Sequence, residues 1–514
     1  MKKTLIFIVI IHAACLFAQR ETAIWYFGNN AGLDFNTGSP IALTDGAMNT
    51  IEGCSTISDA DGNLLFYTDG STIYNKNHQV MQDGNGLLGN ASSTCSSIVI
   101  PYPQHENQYF VFTVHTSDYF YNLAQGLNYS IVDMSLDNGL GAVLLPTKNT
   151  NILPITSEKL TATLTADGQG YWIITHFENK FYAYMLTNSG LSNPVISEID
   201  PFIELINVPI FNTDVVNMRG YIKLNLQGNK LAAAHFSANE TADFNGVTVA
   251  NDARAQAYAK GGKLYLYDFD NSTGVVSNGL DLEVDGASPY GVEFSPNGRF
   301  LYVELDYMTP DYIPGVHLVR VDEGVVAQYD LYNNDIVASK EIVYQADVTD
   351  QVQMRGSLQL AYDGKIYHTR NNYGALSVIN NPDGLGMAAN YQHAAINLGT
   401  ASPNWGLPIF IQSYFTPTAL DYHDIITIPQ GFSPNNDGFN DGFEIVNLRT
   451  AFPNFTIKIF NRYGTVVYQG DNTIPDWDGY TTNANKLPTG TYFYVLKLNN
   501  INDDLINGWV YLND

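Results

Sequence analysis

The sequence predicts an all-β protein: a seven-bladed β-propeller closed by strands from both ends, followed by a small antiparallel β-sandwich domain. Three observations carry this. The chain holds 34 Tyr and 43 Gly but only 15% charged residues, a usage that favours strands and tight turns over helices. One hairpin pattern recurs along most of its 514 residues. From Thr427 onward a different pattern takes over.

The recurring unit is an apolar strand, a turn ending in Gly, and a second apolar strand. It is read in CSTISDADGNLLFYTD from Cys54, KLTATLTADGQGYWIITH from Lys159 and YIKLNLQGNKLAAAH from Tyr221. It returns in YGVEFSPNGRFLYVEL from Tyr290 and SLQLAYDGKIYHTR from Ser357, and with a longer turn from Cys95. Asp-Gly and Asn-Gly between apolar runs are hairpin signals. Third and fourth strands follow, as in FYAYMLTNSGL from Phe181, KLYLYDFDNSTGVVS from Lys263 and VHLVRVDEGVV from Val316. Four strands recurring at several tens of residues is the signature of a propeller.

Six such units are complete, and a seventh is assembled from both ends. LPIFIQSYF from Leu407 supplies one strand, and AIWYFG from Ala23 with GLDFNTG from Gly32 supplies two. Joining them closes the ring and removes its open edges. The blade spacing exceeds the ~40–45 residues of compact repeats, so insertions are expected at 201–218, 237–261 and 326–351. An array of sandwiches is the alternative.

Residues 1–19 read as a signal peptide. Lys2 and Lys3 precede a short apolar stretch, and Leu16-Phe17-Ala18 before Gln19 fits a cleavage site. Ala13-Ala14-Cys15 is an alternative lipoprotein site, with His12 where a Leu is expected. No later run is long enough for a transmembrane helix. The formal net charge of −27 argues against nucleic acid as a partner. Calcium binding and solubility outside the cell both account for such acidity, and solubility is the simpler reading.

After Thr427 the motifs GFSPNNDGFNDGFEI, IKIFNRYGTVVYQG, WDGY and LPTGTYFYVLKL follow in order. Their turns and alternation read as the small sandwich. Together they resemble the gliding motility-associated C-terminal domain, the type B sorting signal of the type IX secretion system. The closing GWVYLND lacks the basic residue that often ends the family. The region before it resembles the propellers often fused to this domain, in LQLAYDGKIYHTR, LSVINNPDGLG and GLPIFIQSYF. Ala388 and Ala389 stand near where that pattern often has a Cys, so no disulfide is expected there. The resemblance implies a chain handled by the type IX machinery and exported through the periplasm, ending secreted or on the outer cell surface. It implies no enzyme. The expected domains are signal peptide 1–19, propeller 20–420, linker 421–427 and sorting domain 428–514.

The repeat also serves as a ruler. Eight residues back from hairpin glycines 62, 228, 298 and 364 lie Cys54, Gly220, Tyr290 and Gly356. These mark where first strands begin at one rim of the central channel. Residues at or just before such positions include Glu52, Glu158, Arg219, Tyr290, Arg355 and Trp405. Met-Arg-Gly occurs twice, at 218–220 and 354–356. Two guanidiniums with Tyr290 and Trp405 would suit an anionic or sugar-like ligand. The competing reading has the arginines brace blades by pairing with acids.

Second strands end on the same rim with Asp69, His115, His176, His235 and His368. A shared metal is not expected, because residues of different blades diverge away from the axis and the offsets from the hairpin Gly differ. Cys54 and Cys95 are each followed by Ser-x-Ile, and matching positions predict a disulfide. Asn435, Asp437, Asn440 and Asp441, with Asn436 and a Gly at 438, make an oxygen-rich loop. It partly resembles calcium loops, so calcium is the one cofactor the sequence offers; a structured Asx turn is the alternative. No catalytic motif of the G-x-S-x-G or H-E-x-x-H kind appears. The pair Asp59 and Asp61 reads as a turn former. The sequence therefore favours a binding module for a glycan, peptide or surface partner over catalysis. A propeller hydrolase or lyase and a structural or adhesion component are the alternatives.

Overall fold

The computed structural model describes residues 20–115, 125–203, 205–208, 213–216, 219–236, 262–313, 317–346, 355–370, 374–415 and most of 426–513. The expected signal peptide and the expected insertion at 237–261 lie outside these. The chain forms two compact units, Gln19–Thr416 and a second that holds Pro417–Asp514. Among the described residues no helix is long and apolar enough to cross a membrane.

The first unit is a β-propeller arrangement of meanders. Three antiparallel four-stranded sheets follow chain order, opening with Ile222–Leu224, Ser288–Phe294 and Leu358–Leu360. Another opens with Leu160–Leu164 and gains a fifth strand, because Gly190–Leu191 and Val195–Glu198 both pair with Lys180–Thr187. The meanders opening with Ser55–Ser58 and Ser97–Pro101 merge into one nine-stranded sheet, since Ala142 pairs in parallel with Gln82.

The hairpin turns explain why the repeat reads so clearly. In each, the glycine N–H closes onto the carbonyl three residues back, as in Gly62 to Asp59 (2.9 Å) and Gly298 to Ser295 (2.9 Å). Glycines 62, 168, 228, 298 and 364 all have φ between +64° and +86°, the left-handed region that other residues enter at a cost. Asp59 Oδ1 accepts the N–H groups of Asp61 and Asn63, so that acidic pair is a turn former.

Bonds between first strands and the segments leading into them link neighbouring sheets. Ile409 N–H donates to Cys54 O (2.9 Å), Cys95 N–H to Glu158 O (3.1 Å), Tyr221 N–H to Tyr290 O (2.9 Å) and Ser357 N–H to Trp405 O (2.9 Å). Deeper in, the Lys223 ammonium lies 2.9 Å from Glu293 Oε2 and also donates to Gln359 Oε1. Glu293 Oε2 accepts the Leu360 N–H as well (2.9 Å). Lys223 and Glu293 are 0% exposed. Three successive first strands are thus tied by one buried ion pair whose partners are well supplied with hydrogen bonds.

Three expectations about the fold need correction. The strand expected from Leu407 is absent: 407–411 runs extended beside Cys54, and Gln412–Phe415 forms a 3-10 turn. Pro408 has no amide to give a ladder, and Gly406 packs so tightly that a Cβ would lie 1.8 Å from Glu52 O. The N-terminal strands Ile24–Phe27, Ala31–Asp34 and Ile41–Leu43 pair with one another. They meet the end of the ring through Asn29 N–H to Ser402 O (2.7 Å) and through Trp25, whose ring packs on Phe35, Tyr367 and Phe410. Second, 326–351 is no insertion, for His317–Asp330 and Glu341–Gln345 are the last two strands of their sheet. Within 201–218, by contrast, a hairpin pairs Leu205–Val208 with Thr213–Val216.

The third correction concerns the second unit. It has one five-stranded sheet, in which Gly431–Phe432 runs parallel to Leu505–Leu512 and the other neighbours are antiparallel. A second ladder does not form among the described residues. Its place is taken by bridges such as Phe443 to Trp477, which bring Phe432, Phe443, Ile445 and Trp477 onto the sheet. The turns were legible, but short segments carry too few pairs to make a sheet.

Lys223→Met leaves Glu293 charged and unpaired at the axis. It is expected to lower propeller stability by about 3–5 kcal/mol, measured by urea unfolding, with Lys223→Met plus Glu293→Gln recovering much of the loss.

Candidate functional site

The starts of the first strands converge. Glu52, Thr94, Glu158, Arg219, Tyr290, Arg355 and Trp405 form one continuous cluster where the first strands begin. Thr94 is its hinge: its hydroxyl donates to Glu158 Oε2 (2.8 Å), lies 3.4 Å from Glu52 Oε2, and faces the Gly220 N–H at 3.4 Å. The Thr94 N–H also donates to Glu158 Oε2 (2.9 Å). The Tyr290 hydroxyl donates to Glu52 Oε2 (2.9 Å).

The guanidiniums are paired more loosely. Arg355 Nη2 lies 3.9 Å from Glu52 Oε1, and Arg219 Nε 4.0 Å from Glu158 Oε1. Both spacings exceed a direct hydrogen bond. The Arg355 guanidinium sits over Trp405 at 3.8 Å from the ring centroid, with Phe236 at 5.1 Å and Tyr290 at 5.3 Å. Its Nε and the Trp405 Nε1 have no hydrogen-bond partner. Arg219 is the charge most open to solvent, at 19% side-chain exposure against 0–7% for Glu158, Glu52 and Arg355. The arginines lie against buried acids, and the Arg355 Nε keeps a donor without a partner.

Burial sets the electrostatics. It pushes the Glu52 carboxyl up to about 7; Arg355 opposes this, Glu158 adds to it, and Arg219 opposes it. Burial pushes the Lys159 amine down to about 7; its Nζ donates to Arg219 O (3.0 Å). Beside Arg355, burial and Asp306 hold the Glu304 carboxyl well above the usual carboxylate range. The Arg355 N–H donates to Asp306 Oδ2 (3.2 Å).

Sequence counting located six members of the cluster and missed Thr94 and Phe236. Thr94 was within reach, since it precedes the Cys-Ser-x-Ile that matches Cys54. Phe236 follows a second strand and carries no repeat signal.

The histidines differ from expectation. His176 and His235 do not diverge; their rings lie 5.1 Å apart. His368 Nδ1 instead pairs with the Tyr391 hydroxyl (2.8 Å). Among the described residues, no group of three or more His, Cys, Asp or Glu could hold a metal ion. Asp437 of the expected calcium loop lies outside the described residues. In the rest of that loop, Asp441 Oδ2 accepts the Gly438 N–H (2.9 Å), and the Asn440 carbonyl accepts the Ser433 N–H (2.9 Å).

The expected disulfide does not form, and Cys54 and Cys95 are free, buried thiols. The registers differ by one residue: Ser55 faces Ser97, with its hydroxyl donating to Ser97 O (2.6 Å). A one-residue slip sends side chains to opposite faces. Cys54 accordingly packs with Trp25, Tyr67 and Leu407, and Cys95 with Ile98, Leu160 and Tyr221. Burial pushes the Cys95 thiol up to about 11, which suppresses its reactivity.

Residues 426–512 match the family model described as the CHU_C Type IX secretion signal domain. No curated protein matches the chain. Solved structures similar to it include a putative 6-phosphogluconolactonase from Bacteroides uniformis, at 14% identity and TM-score 0.34, covering 68% of this chain and 84% of that one. A functionally unknown protein from Desulfotomaculum acetoxidans aligns at 12% identity and TM-score 0.35, covering 74% and 95%. Hsv2 from Kluyveromyces lactis aligns at 9% identity and TM-score 0.34, covering 70% and 90%. None of these bears on what this chain binds. The CHU_C domain marks the chain for export by type IX secretion.

Two measurements probe the cluster. Between about pH 4.5 and 7 the unfolded chain ionises Glu52 while the folded chain keeps it protonated, so its contribution to stability falls as pH rises through that window. Glu52→Gln removes the effect. Wild-type stability minus variant stability is expected to fall by up to ~3 kcal/mol across the window in urea titrations. Peptide mapping without reductant is expected to find Cys54 and Cys95 as separate thiols that alkylate only after unfolding.

Proposed function

We propose that the chain is an exported seven-bladed propeller that binds an extracellular ligand at this channel end, through Arg219, Tyr290, Arg355 and Trp405. The favoured ligand is a glycan or peptide segment bearing carboxylate or hydroxyl groups. One observation carries the reading: the buried Arg355 Nε and the neighbouring Trp405 Nε1 are donors without partners. An acidic sugar or peptide carboxylate satisfies such donors in the bidentate manner that guanidinium favours. The blade count rests on the cluster itself, with six members at or before the starts of first strands and Trp405 before the extended run at 407–411.

A hydrolase or lyase is the second reading. Glu52 and Glu158 approach one Thr94 hydroxyl, and Glu52 is poised near neutrality, a division of roles that acid–base catalysis uses. Both carboxyl groups are almost fully buried, 2% and 0% exposed, which favours binding.

Glycan and peptide arrays probed with the full chain test both readings. Arg219→Ala plus Arg355→Ala is expected to weaken binding at least tenfold with the fold intact by circular dichroism. Undiminished binding refutes the site. Polymer cleavage that Glu52→Gln abolishes establishes the enzyme instead.

A further inference from the structure

The sheet of the second unit buries one face and leaves the other open. Along Gly490–Lys497 and Leu505–Leu512, Tyr492, Tyr494, Leu496, Val510 and Leu512 turn into the core. Period-two alternation then sends Phe493, Trp509 and Tyr511 outward, and they stay 48%, 48% and 43% exposed. Scattered exposed aromatics are ordinary, but these stand in register. Phe493 lies opposite Trp509 on one side and Phe460 on the other, and Phe460 lies opposite Val466. Three rings thus form one row across three strands, spaced by about 4.8 Å and spanning roughly 10 Å. Pairing across strands steadies a sheet, yet about half of Phe493 and of Trp509 still faces water.

The row is one ring wide, with polar groups on both sides. Gln469, Lys458 and Asn507 stand in the row next to it, together with Val495. Thr491 and Tyr511 stand on the other side. A protein partner favours a broad apolar centre with polar groups at its rim. A sugar ring suits the observed layout better. Its C–H face lies on the electron-rich face of an aromatic ring, while its hydroxyls reach the side chains alongside.

Charge is distributed unevenly as well. Residues 417–514 carry eleven acids and five bases, yet no acid occupies these three rows. Lys458 does, and Arg462 follows in the next turn, with its guanidinium 4.9 Å from the Tyr463 ring centre. Lys497 stands one row further out. Asp471, at the far corner opposite Thr456, spends its Oδ1 on the Thr473 N–H and hydroxyl. An acidic domain therefore offers a cationic face here, complementary to an anionic partner.

We propose that this face binds an acidic polysaccharide of the polyuronate class. Phe460, Phe493 and Trp509 stack successive sugar rings of a chain that runs across the strands. Lys458 and the flanking amides and hydroxyls meet its carboxylates and hydroxyls. The site is separate from the channel end and does not rest on the reading given for it.

Affinity electrophoresis of the full chain in gels holding polygalacturonate tests this. Every chain carries Arg219→Ala plus Arg355→Ala, so that the channel end does not contribute. The polymer is expected to retard the chain, and less so as salt rises. Phe493→Ser and Trp509→Ser, each with native circular dichroism, are expected to weaken retention at least about fivefold, the scale of one lost ring contact. Lys458→Glu is expected to weaken it more at low salt than at high salt. Leu505→Ser, two rows away, is expected to leave it unchanged. Acetylation of Lys458 in the wild-type chain keeps the test open if the variants misfold, and the polymer is expected to slow it. Absent retention, full retention in the folded ring variants, or an equal loss in Leu505→Ser overturns the proposal. So does ring-dependent binding to phosphatidylglycerol vesicles, or ring-dependent self-association, in place of binding to the polymer.

Discussion

Charge that is buried near the axis must be neutralised where it lies, and the ring is organised around that requirement. A propeller brings its first strands together, so any ionisable group there leaves water. The Lys223–Glu293 pair answers this in the interior by drawing on three strands at once. At the channel end the answer is shared among more groups. Glu52 and Glu158 are opposed by Arg355 and Arg219 at 3.9 and 4.0 Å. A buried pair of this kind adds little net stability over an apolar one, yet removing one partner costs much more. The arrangement ties neighbouring first strands together through groups that are costly to remove singly.

The same constraint shapes what the channel end can do. A group that approaches Arg219 and Trp405 meets a cluster that is already neutral. It must compete with Glu52 and Glu158 for the guanidiniums. A ligand that succeeds carries its own negative charge or several hydroxyls, and Glu52, held near neutrality, can take a proton in response. In the binding function proposed above, affinity and protonation would be coupled for that reason.

Much of this was legible in the sequence, and the boundary of legibility is physical. The turn glycines announced the hairpins because the left-handed backbone restricts residue choice. Counting from them located Glu52, Glu158, Arg219, Tyr290, Arg355 and Trp405, because the repeat fixes distance along a strand. It does not fix register between strands. Cys54 and Cys95 look equivalent in the sequence, yet Ser55 faces Ser97, and that slip separates the thiols. Nor does a strand count reveal how sheets lean together, which is why His176 and His235 meet where divergence was expected. The extended run at 407–411 read as a strand because it is apolar; its partners along the chain were invisible.

That run also bears on the order of events in the life of the chain. The Asn404 side chain reaches the Thr50 carbonyl across 354 residues, and Asn29 bonds to Ser402. Contacts of such sequence separation form late, since loop closure has to come first. No shorter portion of the ring emerging from the ribosome or from a translocon can be sealed. Closure waits for nearly the whole propeller, and the export signal is the next stretch of chain to follow it.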